Sequence, residues 1–518
     1  MIPLEKNEIN DGNRAFVKRE QAFLQECGAT IMIMKQLTDP QLPLKADDYT
    51  LNLISFAVKL LEGGNSDVQS EFYSAMKTDS TAEVFFNKVF ELFKKETDYL
   101  NRGEISPDLQ VVLMILKLIQ RFAEGHFTDL QLYMREQTNS MRSYNLLEGT
   151  VTLLSIYISK KEKRRKEYFD VIMQCFDTIT ELIQGPCYEN QKSIMQGRLM
   201  ETVGQVLSID EYLMIEAENR KIDYGAEPGC LRPWMIAKIK HKCSITLISL
   251  IECRKDNIIL RKMYTNLKKS FTDNIISFHT NYYALYKDKY DEEVLEHVEA
   301  TPDMGYDELH CSMIIQTAFH LYSIMRNNQE AEDDDEGSSS DSSKSDDEEE
   351  DLPEAADLPV QGQPETKAPE EQEEVEVEVM RDPTTLNELK RYMDQKRMRG
   401  KKAAYQFMAQ KTRSIEVVRA DECLERVYFL TLPYFEAITD NIKDEFNQEV
   451  TRVSCKTKCN DLLEKSKELI SKVKTERNIL KNRFLRLIQK NYNKIKLSSF
   501  FFVIMVNLLS LIFYVQGA

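Results

Sequence analysis

Glu124 and Glu181 are the residues of this sequence best placed to do chemistry. Each stands in the last turn of a predicted helix, one just before Gly125-His126 and the other just before Leu182-Ile-Gln-Gly-Pro-Cys187. A helix end leaves carbonyls unpaired and carries the negative end of the dipole, so an added carboxylate is uncomfortable there. A hard cation relieves the discomfort, and Ca2+ takes six to eight oxygen ligands at about 2.3–2.6 Å. Water relieves it too, and on spacing alone a solvated terminal glutamate accounts for each residue. The other patterns carry less. Cys455-x-x-x-Cys459 has ligand-like spacing but no second pair or histidine near it in sequence, which reads as structural thiols rather than zinc. The sequence has no phosphate-cradling glycine loop, no nucleophile elbow and no Cys/His pair with an orienting third group, so the expectation is a protein that is not an enzyme.

The elements that must position the two glutamates are amphipathic helices meeting at corners. Phe169, Ile172, Met173, Phe176, Ile179 and Ile183 recur at three- and four-residue steps, which lays them on one buried face. Gly185 accepts a left-handed cap and Pro186 cannot supply the next backbone donor, so the helix stops. Asn190 is then available as the cap of a second stripe through Ile194, Met195, Leu199, Met200, Val203 and Leu207. The same alternation runs along the chain. A short helix is expected over Lys18 to Gln36, and a stripe from Leu51 to Leu61 closes at Gly63-Gly64 and is answered by Val68 to Met76. Val112, Ile115, Leu116, Ile119 and Phe122 share a face that ends at Glu124, and further helices follow over 146–158, 168–184, 199–217, 234–251 and 263–286. Helix pairs stacked without strands between them predict an all-α, irregular armadillo-like α-solenoid with no fixed repeat period.

Composition divides the chain. The net charge of −17 is concentrated between Ala331 and Met380, where 21 Asp and Glu face only Lys344 and Lys367. The remainder is nearly neutral and offers no basic field for nucleic acid. The acidic stretch, with its serine tract, has too little apolar surface to offset chain entropy and reads as a disordered linker. After it, Leu386 to Gln410 is a basic helix, and Ile415–Val418 with Val427–Leu430 reads as a single β-hairpin. Ten cysteines, scattered singly behind an N-terminus without a secretory leader, read as reduced thiols facing the cytosol. Finally, Phe500 to Val515 has as polar members only Asn507, Ser510 and Tyr514, close to the length that crosses a hydrocarbon layer of ~30 Å. Six Lys or Arg and no acid lie between Lys481 and Lys496, which puts that flank and residues 1 to about 496 on the cytosolic side. The expected division is 1–45 N-terminal helical segment, 46–328 solenoid, 329–382 linker, 383–496 lateral pre-membrane domain and 497–515 transmembrane helix.

Several of these stretches resemble one family. Leu60-Leu-Glu-Gly-Gly-Asn65, Phe122-x-Glu124-x-His126, Glu181-x-Ile-Gln184-Gly-Pro-Cys187, Lys411-Thr412-x-Ser414-Ile-Glu-Val-Val-Arg419, Leu432-Pro433 and the apolar run near Val506-Asn-Leu-Leu509 are similar, in colinear order, to inositol trisphosphate receptors. Ryanodine receptors are more distant relatives of the same pattern. The stretch resembled is the armadillo region with its RIH-associated segment, through the lateral domain to the first transmembrane helix. That resemblance implies a tetrameric calcium-release channel of the endoplasmic reticulum or another internal membrane, of which this chain would be the regulatory, coupling portion without the pore. It implies that Glu124 and Glu181 bind activating Ca2+ with Gln184 behind them, and that the site is a half-site, since the family's remaining ligand comes from a C-terminal tail not found in this sequence. It also implies ATP near Lys401–Lys411, although the positions there match too poorly to assign residues. The alternative is a tail-anchored helical scaffold or adaptor on an internal membrane, without channel activity.

Overall fold

The computed structural model describes residues 11–78, 82–159, 165–224, 229–254, 256–283, 311–336, 383–418, 424–431 and 491–516, with a few isolated positions between 448 and 488. Cys455, Cys459, most of the acidic stretch and most of the basic flank before the terminal apolar run lie outside the described residues. Everything described up to Leu430 belongs to one compact unit, and Thr431–Ala518 forms a second.

The first unit is a helical stack in which like packs on like. Helices α1 (Asp11–Glu26), α2 (Ala29–Thr38), α3 (Asp48–Leu60) and α4 (Ser66–Thr78) are followed by α5 (Ala82–Arg102), α6 (Leu109–Ala123) and α7 (Thr128–Arg135). Next come α8 (Leu146–Ser159), α9 (Phe169–Ile183), α10 (Tyr188–Ile194), α11 (Leu199–Leu207), α12 (Glu211–Asn219), α13 (Pro233–Ile251) and α14 (Ile258–Ser277). In one layer α3, α6, α9 and α13 touch in succession; in a second, α2, α5, α8 and α11; in a third, α4, α7 and α10, with α1 beside α4. Three-helix units thus bury their apolar stripes against the matching stripes of the next unit, which is how a solenoid holds itself together. Ile115, Ile119, Phe122, Ile172, Phe176 and Ile179 are fully buried at the α6–α9 contact layer, as the spacing required. Phe72, Phe85 and Phe122 meet edge-to-face, which fixes the second unit against the first.

The units differ in helix length, from the seven residues of α10 to the 21 of α5, so no period shows in the sequence even though the layers are regular. Three expectations are corrected, the first over 199–217, which is two helices, α11 and α12, because the Asp210 side chain accepts from the Leu213 N–H and caps a new start. The helix expected over Lys18–Gln36 is two helices, because Gly28 takes a left-handed φ of 79° and turns the chain between α1 and α2. Asn190 is not a cap: it lies inside α10, fully buried, and its amide donates to the carbonyls of Gln131 and Leu182, each at 2.8 Å.

Helix α15 (Cys311–Glu336) packs on α13 and α14, and its last turn takes in the first residues of the acidic stretch. Helix α16 (Leu386–Lys411) starts on a capping box in which Thr385 and Glu388 each bond the other's backbone, and it packs on α12 and α14. It runs straight into a hairpin of β1 (Thr412–Val418) and β2 (Leu424–Leu430), antiparallel with Ile415 opposite Val427. The hairpin is tied to α15 where Arg426 bonds Glu330 at 2.9 Å, with the Tyr428 hydroxyl on the same carboxylate. In the second unit, α17 (Tyr492–Gln516) carries a window, Lys494–Leu511, long and apolar enough to cross a membrane, and its described apolar side chains are exposed.

Candidate functional site

The second helix of each unit ends at the same kind of corner: Glu62-Gly63, Glu124-Gly125, Gln184-Gly185 and Glu252-Cys253. Each corner turns through left-handed backbone, with φ of 80° at Gly63, 75° at Gly125, 75° at Gly185 and 60° at Cys253. The carbonyls stranded at these helix ends are claimed by a glutamine from the unit before. Gln21 Nε2 donates to the carbonyls of Lys59 (3.2 Å) and Glu62 (2.9 Å). Gln69 Nε2 does so to Arg121, Phe122 and Glu124 at 3.1, 3.2 and 2.8 Å. Gln131 reaches Glu181 and Gln184 at 2.7 and 3.0 Å, and Gln191 reaches Ser249 and Glu252, each at 3.2 Å. Gln21, Gln69, Gln131 and Gln191 are all buried, so these amides do what water does at an open helix end. The backbone adds a second tie, since the N–H of Gly63 donates to Glu124 Oε2 (3.2 Å) and that of Gly185 to Glu252 Oε2 (3.4 Å).

Stacked in this way, adjacent corners bring Glu124 and Glu181 within electrostatic reach. Burial first, then the charges of Glu124 and Asp177, push the Glu181 carboxyl up to about 7 against the opposing pull of Arg121 and of a hydrogen bond from Gln120. Gln120 is held for that bond because its Oε1 accepts from Gln174 Nε2 at 2.8 Å. Asp177 has its own partner in Lys242 at 2.6 Å. Arg121, in the last turn of α6, places Nη1 2.5 Å from Glu124 Oε1, with the two side chains 26% and 23% exposed. Gln184 contributes its carbonyl to the Gln131 clamp. The Gln131 side chain is fully buried, yet its Oε1 has no hydrogen-bond partner among the described residues. Turning the amide over would set that oxygen against two carbonyls, so the orientation is fixed by its neighbours. A like-charged pair and an orphaned oxygen are the right donor type for a hard cation, but not the right number: among the described residues no three His, Cys, Asp or Glu gather as a metal cluster.

Residues 106–207, from just before α6 to the end of α11, match the family described as RyR and IP3R Homology associated. The chain is also similar to the inositol 1,4,5-trisphosphate receptor itr-1 of Caenorhabditis elegans, 26% identical over 201 residues, which is 37% of this chain and 6% of that relative. The resemblance to the inositol trisphosphate receptor family holds. The matched segment contains both glutamates and the two corners that carry them, so this part of the chain is a region related to calcium-channel receptors. The chain spans a small fraction of the length of that relative.

The resemblance singled out the two glutamates but not what surrounds them. Arg121 reads in the sequence as an ordinary basic residue near a helix C-terminus, and the clamping glutamines read as solvated polar positions. The only local signal for the clamps is a Gln in the helix after each glycine corner, at Gln69, Gln131 and Gln191. Lys401 and Lys411, at the ends of the stretch considered for ATP, lie on α16; Lys411 is buried with its ammonium 5.9 Å from the Phe407 ring.

Proposed function

We propose that this chain is the regulatory and coupling portion of a ligand-gated intracellular calcium-release channel of the inositol trisphosphate receptor type. In this reading the helical stack of residues 46–328 carries the sensor, the segment 383–496 is the lateral domain that passes its state on, and α17 enters an internal membrane such as that of the endoplasmic reticulum. The assembly is a homotetramer, with the pore supplied by sequence outside this chain. Glu124 and Glu181 form one wall of a calcium site, Gln184 steadies it through the Gln131 clamp, and further ligands come from another part of the assembly. Calcium bound there favours one arrangement of sensor and membrane segment over another, and only that difference in affinity can shift the gate.

The observation that supports the reading is that two glutamates, distant in sequence, are brought together on consecutive corners inside the matched segment. Store membranes from cells carrying Glu124→Gln with Glu181→Gln provide the test. The calcium needed to evoke release should rise, with the chain still membrane-bound and tetrameric by cross-linking. Unchanged release, or recovery of the wild-type chain in the soluble fraction, would overturn the proposal, and the second result would leave no room for the membrane-anchored scaffold either.

A further inference from the structure

Resting on that reading, we infer that Arg121 is a tethered cation that competes with calcium for the Glu124–Glu181 pair and so sets the threshold at which the site fills. The guanidinium contacts Glu124 at 2.5 Å and its charge reaches Glu181, so one side chain serves both carboxylates. It is held in place by its own helix, with its backbone carbonyl fixed by Gln69 Nε2 at 3.1 Å, and it sits at the C-terminal end of α6, where the dipole favours positive charge. A divalent ion entering between the carboxylates meets a monovalent group already there. Glu124 Oε1 has lone pairs for both, but two cations on one carboxylate repel, so calcium binds against the charge of Arg121 and favours turning the guanidinium out into solvent, which its partial exposure permits. A second mark of unmet oxygen chemistry lies at the end of α9, the helix that carries Glu181, where the buried Gln131 Oε1 has no hydrogen-bond partner among the described residues.

The same geometry gives the site a selectivity that a bare carboxylate pair lacks. A monovalent ion gains little by replacing an equal charge that is covalently tethered, whereas a divalent ion gains the second charge. Calcium chloride titrated calorimetrically into the purified full-length chain in detergent tests the inference, with circular dichroism confirming the helix content of every variant. Wild type should bind weakly, and Arg121→Gln should bind about 5- to 150-fold more tightly, the usual span of coupling between two linked binding events. The gain should vanish when Glu124→Gln is added. Arg121→Lys keeps the charge but not the fork, and should fall between wild type and Arg121→Gln. Equal, Glu124-dependent binding by wild type and Arg121→Gln would overturn the role of Arg121 while leaving the carboxylate site intact. Binding absent from both would overturn this inference while leaving the half-site reading standing, and binding insensitive to Glu124→Gln would overturn the carboxylate reading itself and this inference with it.

Discussion

A single amide at position 131 does two things at once: it closes the end of α9 and ties down the backbone of Glu181, one of the two carboxylates. Replacing it tests the first role directly. Gln131→Leu keeps the bulk but strands the carbonyls of Glu181 and Gln184 in a buried place, and should lower unfolding stability by about 1–3 kcal/mol in chemical denaturation. Gly64 is a second sensitive position. Its φ is +63° and an added Cβ would lie 3.0 Å from the Glu124 carbonyl oxygen, which is backbone and cannot swing aside. Gly64→Ala should cost roughly 1–3 kcal/mol by the same measurement and disturb the corner that carries Glu124. How legible these residues were follows from the reach of their contacts. The carboxylates stood out through the resemblance of their local motifs to a family pattern, since a helix end alone reads as a place for a solvated glutamate. The roles of Gln131 and Arg121 did not, because a clamp or counter-ion is defined by what lies across the next unit, and that register is set only when the stack forms.

At the scale of the element, α13 and α15 meet through two histidines whose rings stack at 5.9 Å and 17°. Both rings are pushed down to about 4, His320 by burial and His241 by burial together with the charges of His320 and Lys242. Ser244 and Thr317 hydroxyls reach the Nδ1 atoms of His320 and His241 at 2.9 and 3.3 Å. A histidine whose folded pKa lies below its ordinary value contributes stability that is full above about 6.5 and is lost as pH falls toward 4. Glu181, with its raised pKa, works in the opposite sense, losing stability as pH rises from 4.5 to about 7. The difference between wild type and His241→Gln with His320→Gln cancels that background. In thermal melts from pH 7.5 to 4.5, wild type should lose more of its midpoint temperature than the double variant. Helices such as α6, α9 and α13 were legible because their stripes are long and their stops are Gly or Pro. The break at Gly28 and the burial of Asn190 were not. The first asks a lone glycine to outweigh good helix formers on both sides, and the second turns on a partner, Gln131, that lies in the preceding unit.

For the whole molecule, the solenoid architecture and the apolar terminus were legible together, since layered stripes and a charge-free run are both patterns of composition. The lengths of the units were not, because each corner fixes only where a helix ends. Helix α17 supplies the test at this scale. Phe502→Lys with Leu508→Lys adds about 2.5–3.5 kcal/mol of insertion cost per residue near the middle of the apolar run. The wild-type chain should stay with membranes through alkaline carbonate extraction and the double variant should be released.

The glutamine that seals each corner comes from the unit before it, so no unit is finished by its own residues. A chain built on this rule can be lengthened by duplicating a whole segment from one glutamine to the next, because the copy brings a donor for its successor and accepts one from its predecessor. Cutting or inserting anywhere else leaves one donor idle and one helix end open, so growth of such a chain proceeds in whole units and its history is written in where the glutamines fall.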